Sequence, residues 1–313
     1  MNLGRDTTLT SRFAFLTLLL TVLTSCTKDI TVDLPDLPDQ LVVEGVIEPG
    51  APPYVILTHT VSYTAPTDAN AVSRRFVTGA TVTVTTDGNV WALDEECSGQ
   101  MDPASISATA ELTGLSPDLL SSANICVYST HDPAQVGVVG KTYRLDVSVD
   151  GKSLSAISKI PNPVPLDSTW FELDSLSLNT YPYVYGDIWA RLSDPDTIGN
   201  GYRWMSKQIS YWNPDTGPYV AQEGSSFNDK LINGLTVDYK DPDNAVHIVG
   251  DTIVLKLLSL GKREYEFYSS YDANLNALSD ISVPPSNVKT NITGGLGIWA
   301  GRGVYLDTIA CVP

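Results

Sequence analysis

The sequence predicts a mainly β protein made of two β-sandwich-like domains, with one helix packed on the second. Three observations lead there. Apolar residues alternate with polar ones over long stretches, as where Tyr143, Leu145, Val147 and Val149 face one way and Arg144, Asp146 and Ser148 the other. Such a period of two gives a strand one buried face. Two Asp-Gly pairs, Asp87-Gly88 and Asp150-Gly151, stand between alternating runs, and a two-residue hairpin turn needs φ > 0 at both central positions. Only Lys262 to Ala277 reads convincingly as a helix, with Tyr265, Tyr268, Tyr271 and Leu275 at helical spacing and expected to pack on the sheet.

The first 25 residues read as a targeting segment. Arg5 and Arg12 give a basic start, and Phe13 to Leu23 is an apolar run of eleven residues. A bilayer core needs about 20, so the run suits a signal peptide. Leu23-Thr24-Ser25-Cys26 follows directly and resembles a lipobox, in which cleavage precedes a lipidated cysteine. The alternative is an ordinary secretory signal with a chance cysteine. Cys26 is therefore the expected lipidation site. Stable anchoring takes more than one acyl chain (palmitate is typical), because a single chain binds only marginally.

Residues 26–40 read as a tether containing Asp33-Leu-Pro-Asp-Leu-Pro-Asp39. Proline fixes φ and restricts its predecessor, which favours polyproline II and stacks Leu34 and Leu37 on one edge. The segment is either a plain spacer or a docking strip.

The first domain spans residues 41–161. Its expected strands begin at Leu41, Tyr54, Thr81, Val90, Tyr143 and Ser153. Pro161-Asn-Pro-Val-Pro165 breaks the pattern and marks the boundary. The second domain, residues 162–313, has strands expected near Trp170–Leu178, Tyr183–Ser193, Tyr202–Trp212 and Asp251–Leu258, followed by the helix. Gly294-Gly-Leu-Gly-Ile-Trp-Ala-Gly301 reads as a tight final strand where glycines allow close backbone approach. The tail after Gly301 has no assigned role.

Removing Arg5, Arg12 and Asp6 from the chain's 19 basic and 36 acidic side chains leaves 17 and 35, a net charge of −18. That balance excludes nucleic-acid binding by phosphate neutralisation and electrostatic attachment to an anionic lipid surface. In an oxidising compartment Cys97 and Cys126 are the natural disulfide partners within the first domain, which leaves Cys311 odd. No spacing resembles a zinc site, and the three histidines are isolated from one another.

Catalytic motifs are missing. The chain has neither a Gly-x-Ser-x-Gly elbow nor a His-Glu-x-x-His, so no enzyme activity and no cofactor are expected. Asp194-Pro-Asp196 with Asn200, and Asp241-Pro-Asp243 with Asn244, offer oxygen ligands for calcium or else simple Asx turns. The densest cluster is aromatic. Tyr181, Tyr183, Tyr185, Trp189 and Trp212 lie within it, alongside Trp170, Phe171, Tyr202, Trp204, Tyr211 and Tyr219. These rings either pack across strands within the sheet or supply a protein interface or a sugar-stacking platform. The five named first are the candidate interface residues.

The order of several short motifs carries a resemblance. The lipobox cysteine and acidic-proline tether are followed by Leu41-Val-Val-Glu-Gly45, Gly79-Ala-Thr-Val-Thr-Val84 and Tyr143-Arg-Leu-Asp-Val147. Ile160-Pro161 and Ser286-Asn-Val288 through Trp299 complete the series. The mature chain resembles the Bacteroidota lipoprotein family catalogued as domain of unknown function 4249. The Gly79-Ala-Thr-Val segment is also similar to transthyretin-like or carboxypeptidase-regulatory sandwiches, and the first domain is expected to be transthyretin- or immunoglobulin-like. Members of the family are typically encoded beside TonB-dependent outer-membrane transporters. The resemblance therefore implies an accessory lid, docking or assembly subunit in the outer membrane, with such a barrel as partner and no catalytic residues to transfer. A stand-alone glycan- or peptide-binding module is the alternative. Lys28-Asp29 partly resembles the signal that sends such lipoproteins to the cell surface, although Ile30 stands where a second acid is common.

Overall fold

The computed structural model describes residues 39–61, 73–174, 184–210, 218–221, 224–241, 247–279 and 287–312. Cys26 and the tether up to Pro38 lie outside the described residues. The chain opens with β1 (Leu41–Ile47) and β2 (Tyr54–His59), paired antiparallel. β3 (Thr81–Thr86) and β4 (Asn89–Cys97) form the first Asp-Gly hairpin, with φ of 48° at Asp87 and 79° at Gly88. Two helices follow, α1 (Pro103–Thr113) and α2 (Pro117–Ser122), then β5 (Cys126–Ser129). β6 (Thr142–Val149) and β7 (Lys152–Lys159) make the second hairpin, with φ of 50° at Asp150 and 72° at Gly151. Both turns thus adopt the left-handed conformations that the sequence requires of them.

The helices α1 and α2 depart from the expected all-strand first domain. Each has a complete start signal. Asp102 accepts the Ser105 backbone N–H at 2.8 Å, Ser116 accepts that of Leu119 at 3.2 Å, and a proline follows each cap. Such caps satisfy donors the helix leaves unpaired, and proline at the first position lacks an N–H that would be orphaned anyway. Periodicity did not reveal α1 because Ala110 is its one buried residue.

The second half contains β8 (Ser168–Leu173), β9 (Tyr185–Ser193), β10 (Gly201–Ile209), β11 (Ser226–Asn228), β12 (Thr236–Lys240), β13 (His247–Ile248) and β14 (Thr252–Leu260). α3 (Lys262–Ser279) and β15 (Leu296–Ala310) complete it. An 11-stranded sheet runs in the order β11-β10-β14-β15-β1-β2-β5-β4-β3-β6-β7. A smaller sheet centres on β9, with β8 along one side and β12 and β13 along the other. The protein is mainly β, consistent with a sandwich-like fold.

The two largest of four buried clusters among the described residues are drawn mainly from before and after Pro161, although the first also includes Ile292 and Trp299. In the first, the large sheet bends so that Val43, Val55 and Leu57 meet Val82, Leu145 and Leu154. In the second, Ile188, Ala190 and Leu192 of the small sheet pack on Trp204, Leu255 and Leu257 of the large one. β15 belongs to both halves. Its Leu296–Gly301 portion pairs parallel with β1, and its Arg302–Ala310 portion antiparallel with β14. All the described residues accordingly belong to one compact body. The sequence segment expected to end near Gly301 is thus only the first part of a longer strand.

Trp299 fixes this junction. It is fully buried in the first core, and its indole N–H donates to the Tyr143 carbonyl at 3.0 Å. Gly45 lies under the ring, where a Cβ would stand 2.7 Å from it. Asn291 grips the Trp299 backbone from both sides, at 2.8 and 2.9 Å.

The sheet-facing stripe of α3 also differs from expectation. Tyr265 packs on the sheet and Tyr268 is buried, as predicted, but Tyr271 and Leu275 are exposed. Glu264, Tyr268 and Asp272, spaced one turn apart, occupy the packed face. Two of the three are charged, so the apolar stripe holds for its first two members and fails for its last two.

Candidate functional site

Alternation along β9 divides its residues between the second core and a surface. Ile188, Ala190 and Leu192 point inward, whereas Tyr185, Asp187, Trp189 and Arg191 lie on the outer side. Gly186 allows this arrangement, because a Cβ there would stand 2.4 Å from the Phe171 ring that packs across it. The β8–β9 register sets Trp170 opposite Trp189. Their rings stack with centroids 6.1 Å apart and planes 7° off parallel, an arrangement favoured by aromatic quadrupoles.

Charges frame the stacked pair. The Arg191 guanidinium lies 5.9 Å from the centre of the Trp170 ring and donates to both Asp238 oxygens at 2.7 and 2.8 Å. This bond holds the Asp238 carboxyl below the usual carboxylate range. Lys240 lies 3.2 Å from Asp187. Trp170, Tyr185 and Trp189 are all half-buried, and the Trp189 indole nitrogen has no hydrogen-bond partner. The result is a strip on an outer sheet face in which a stacked indole pair and Tyr185 are separated by the Asp187–Lys240 pair and bordered by Arg191 and Asp238.

Of the five candidate interface residues, the structure brings Tyr185 and Trp189 to one face, while Tyr181, Tyr183 and Trp212 lie outside the described residues. Trp170 completes the strip. Its place depended on the β8–β9 register, which joins residues too far apart in sequence for local patterns to show.

Cys97 and Cys126 form the expected disulfide. Cys97 ends β4 and Cys126 begins β5, directly opposite each other in the antiparallel register, with Cα atoms 3.9 Å apart. The bridge closes the loop that contains α1 and α2. Cys311 is free and fully buried, and burial pushes its thiol up to about 12.

The acidic turns organise backbone. Asp194 accepts the Tyr202 hydroxyl at 2.5 Å and the Gly234 N–H at 3.2 Å. Asp229 accepts the N–H groups of Gly199 and Asn200. These are long-range bonds, between residues 8 to 40 positions apart, and not the local bonds of Asx turns. One oxygen of buried Asp241 lies 3.0 Å from His247 Nε2, and the other has no hydrogen-bond partner among the described residues. Asp243 and Asn244 lie outside the described residues.

A family model described as Domain of unknown function (DUF4249) matches residues 27–304. No curated protein matches the chain. The family match spans both cores and most of the strand that joins them, and the chain belongs to the DUF4249 domain family.

Proposed function

We propose that this protein is a lipid-anchored, surface-facing accessory subunit of a TonB-dependent outer-membrane transporter. It is attached through Cys26 and works by contact without catalysis. Three things support the reading: the lipobox-like Leu23-Thr-Ser-Cys26, the family's usual association with such barrels, and the outer face of the small sheet. The last carries it. The half-buried, stacked Trp170 and Trp189, with Tyr185 farther along the same face beyond Asp187, resemble the aromatic anchors at the centre of protein interfaces. A stable contact would bury about 1,200–2,000 Å² in total, several times the area of this strip, so charged neighbours such as Arg191 and Lys240 would form its rim.

The test is photo-crosslinking in whole cells, with the photoreactive residue at Trp189 and, as a control, at exposed Ile157. A β-barrel outer-membrane protein attached through position 189 and absent from position 157 is the expected product. Recovery of no outer-membrane protein from position 189 would remove the accessory-subunit reading.

A second reading, a glycan-binding surface module, is favoured by one observation. Two parallel indoles with a guanidinium alongside also suit stacking against a sugar ring. In that case an array of soluble glycans would yield a ligand whose binding is lost in Trp170→Ala.

A further inference from the structure

A cleft opens at the hairpin end of the first core. Register sets Val84 opposite Trp91 and Thr86 opposite Asn89 on β3 and β4, with Leu145 of β6 on the other side of Val84. Val84 and Leu145 are buried in the core. Thr86, Asn89, Trp91 and Tyr143 continue their face toward the turn at Asp87-Gly88. Residues 132–141 form the facing wall. That loop is tied down at two points: Lys141 pairs with Asp87, and the Val138 N–H donates to the Tyr143 hydroxyl at 2.8 Å. A space of about 490 Å³ remains between hairpin and loop, lined by the Trp91 and Tyr143 rings, whose centres lie 5.8 Å apart.

Binding sites for small molecules typically occupy about 300–1,000 Å³ and combine aromatic walls with a few placed polar groups. The ligand class follows from the polar groups that the protein leaves unused. The charged ones are engaged. Lys141 answers Asp87, and Asp132 accepts the Ala134 N–H at 2.9 Å and the Gln135 amide at 3.3 Å. The neutral ones are not. The Asn89 amide and the Trp91 indole N–H have no hydrogen-bond partner among the described residues. Thr86 is 6% exposed and its Oγ1 is buried without a partner, as is Gln135 Oε1. Buried polar atoms are rarely left so, and these two belong to the walls of one cleft. The unused set mixes donors with acceptors and carries no charge.

We propose that this cleft binds a neutral sugar, with one ring laid against Trp91 and its hydroxyls meeting Asn89 and Gln135. A hydroxyl both donates and accepts, so several on one ring match a mixed, uncharged set. The C–H edges of the same ring suit an aromatic surface. The one acid without a basic partner, Asp132, stands at the exposed rim and opposes an anionic sugar. A purely apolar ligand would leave the polar set unpaired. The site shares no residue with the small-sheet strip and is independent of both readings above.

The test uses the full chain in micelles of a detergent without a sugar headgroup, with empty micelles as the blank. The probes are neutral oligosaccharides of glucose, galactose, mannose, xylose and N-acetylglucosamine, screened together, with the best binder then titrated by calorimetry. At least one binds saturably at one site, and its uronic-acid and amino-sugar counterparts bind more weakly. Asn89→Ala, at an exposed position of the hairpin, weakens binding about fivefold, the loss of one neutral hydrogen bond. Ala134→Trp, at an exposed position of the loop wall, fills the space and abolishes it. Trp170→Ala, on the small sheet, leaves it unchanged. No saturable binding by any probe, equal or tighter binding of a charged counterpart, or full binding in Asn89→Ala or Ala134→Trp overturns the proposal. Loss of binding in Trp170→Ala overturns it too and moves the sugar to the small sheet.

Discussion

On the outer face of the small sheet, Arg191 lies over Trp170 and pairs with Asp238 in contact with water. Beneath α3, Arg203 and Arg302 flank the Tyr268 ring at 4.6 and 5.3 Å, largely out of water. The chemistry is the same, a guanidinium beside an aromatic ring and a carboxylate. Solvent makes the difference. The Arg191 and Asp238 side chains are 49% and 39% exposed, those of Arg203 and Asp272 9% and 15%. An exposed pair is screened and contributes little. A desolvated one interacts more strongly, and losing one partner leaves a buried charge with nothing to offset it. The outer strip is therefore free to change partners, while the inner row holds α3 on the sheet.

Removing the inner arginine is the strongest way to break that comparison. Arg203→Ala strands Asp272 and is expected to cost about 3–5 kcal/mol of stability, read by urea denaturation. Arg203→Lys keeps the charge but loses the two-pronged geometry and should fall between the variant and the parent. A loss under about 1 kcal/mol in Arg203→Ala would show that the inner row behaves like a surface.

Next in size is the disulfide. Replacing Cys97 and Cys126 together by alanine should cost about 3–4 kcal/mol in the chain-entropy model for a loop of this length. The effect should be regional. Hydrogen exchange is expected to rise in α1 and α2, inside the loop, and to stay unchanged in β8 and β9. Equal acceleration in both regions would contradict this assignment.

The smallest effect belongs to the outer face. Arg191→Ala is expected to shift stability by less than about 1 kcal/mol, and the shift should disappear in 1 M salt, where the Debye length is about 3 Å. A larger loss, or one insensitive to salt, would erase the distinction between the two faces.

What the sequence revealed was mostly what neighbouring residues decide. Asp87-Gly88 and Asp150-Gly151 specify their turns within two residues, and the disulfide follows from strand ends that the first hairpin positions. The caps of α1 and α2 are equally local, at Asp102-Pro103 and Ser116-Pro117, but helices with one buried residue each have no apolar stripe to read. Other features depend on distant pairings. The stacking of Trp170 on Trp189 and the convergence of Arg203 and Arg302 on Tyr268 exist only once the strand register is known. For α3, charged Glu264 and Asp272 take the buried side because Ser158 and Arg203 receive them there, and no single-helix pattern contains those partners. The candidate strip was half legible: composition found the aromatic residues, and topology selected which of them share a face.

The double allegiance of β15 has a consequence for how the molecule is made. β1, near the start of the described chain, lacks one neighbour until residues 296–301 arrive, and β14 lacks one until residues 302–310 do. Up to that point the nascent sheet has two open edges, each a row of unpaired N–H and C=O groups able to recruit another strand. Pairing across nearly the whole chain is slow, because a long loop must close before the contact forms. This strand acts as a keystone: it supplies Trp299 to the first core and Ile309 to the second, and the sheet is continuous only once residues 296–310 are in place. Until residues 296–310 pair, the 11-stranded sheet is two separate pieces, each with one open edge.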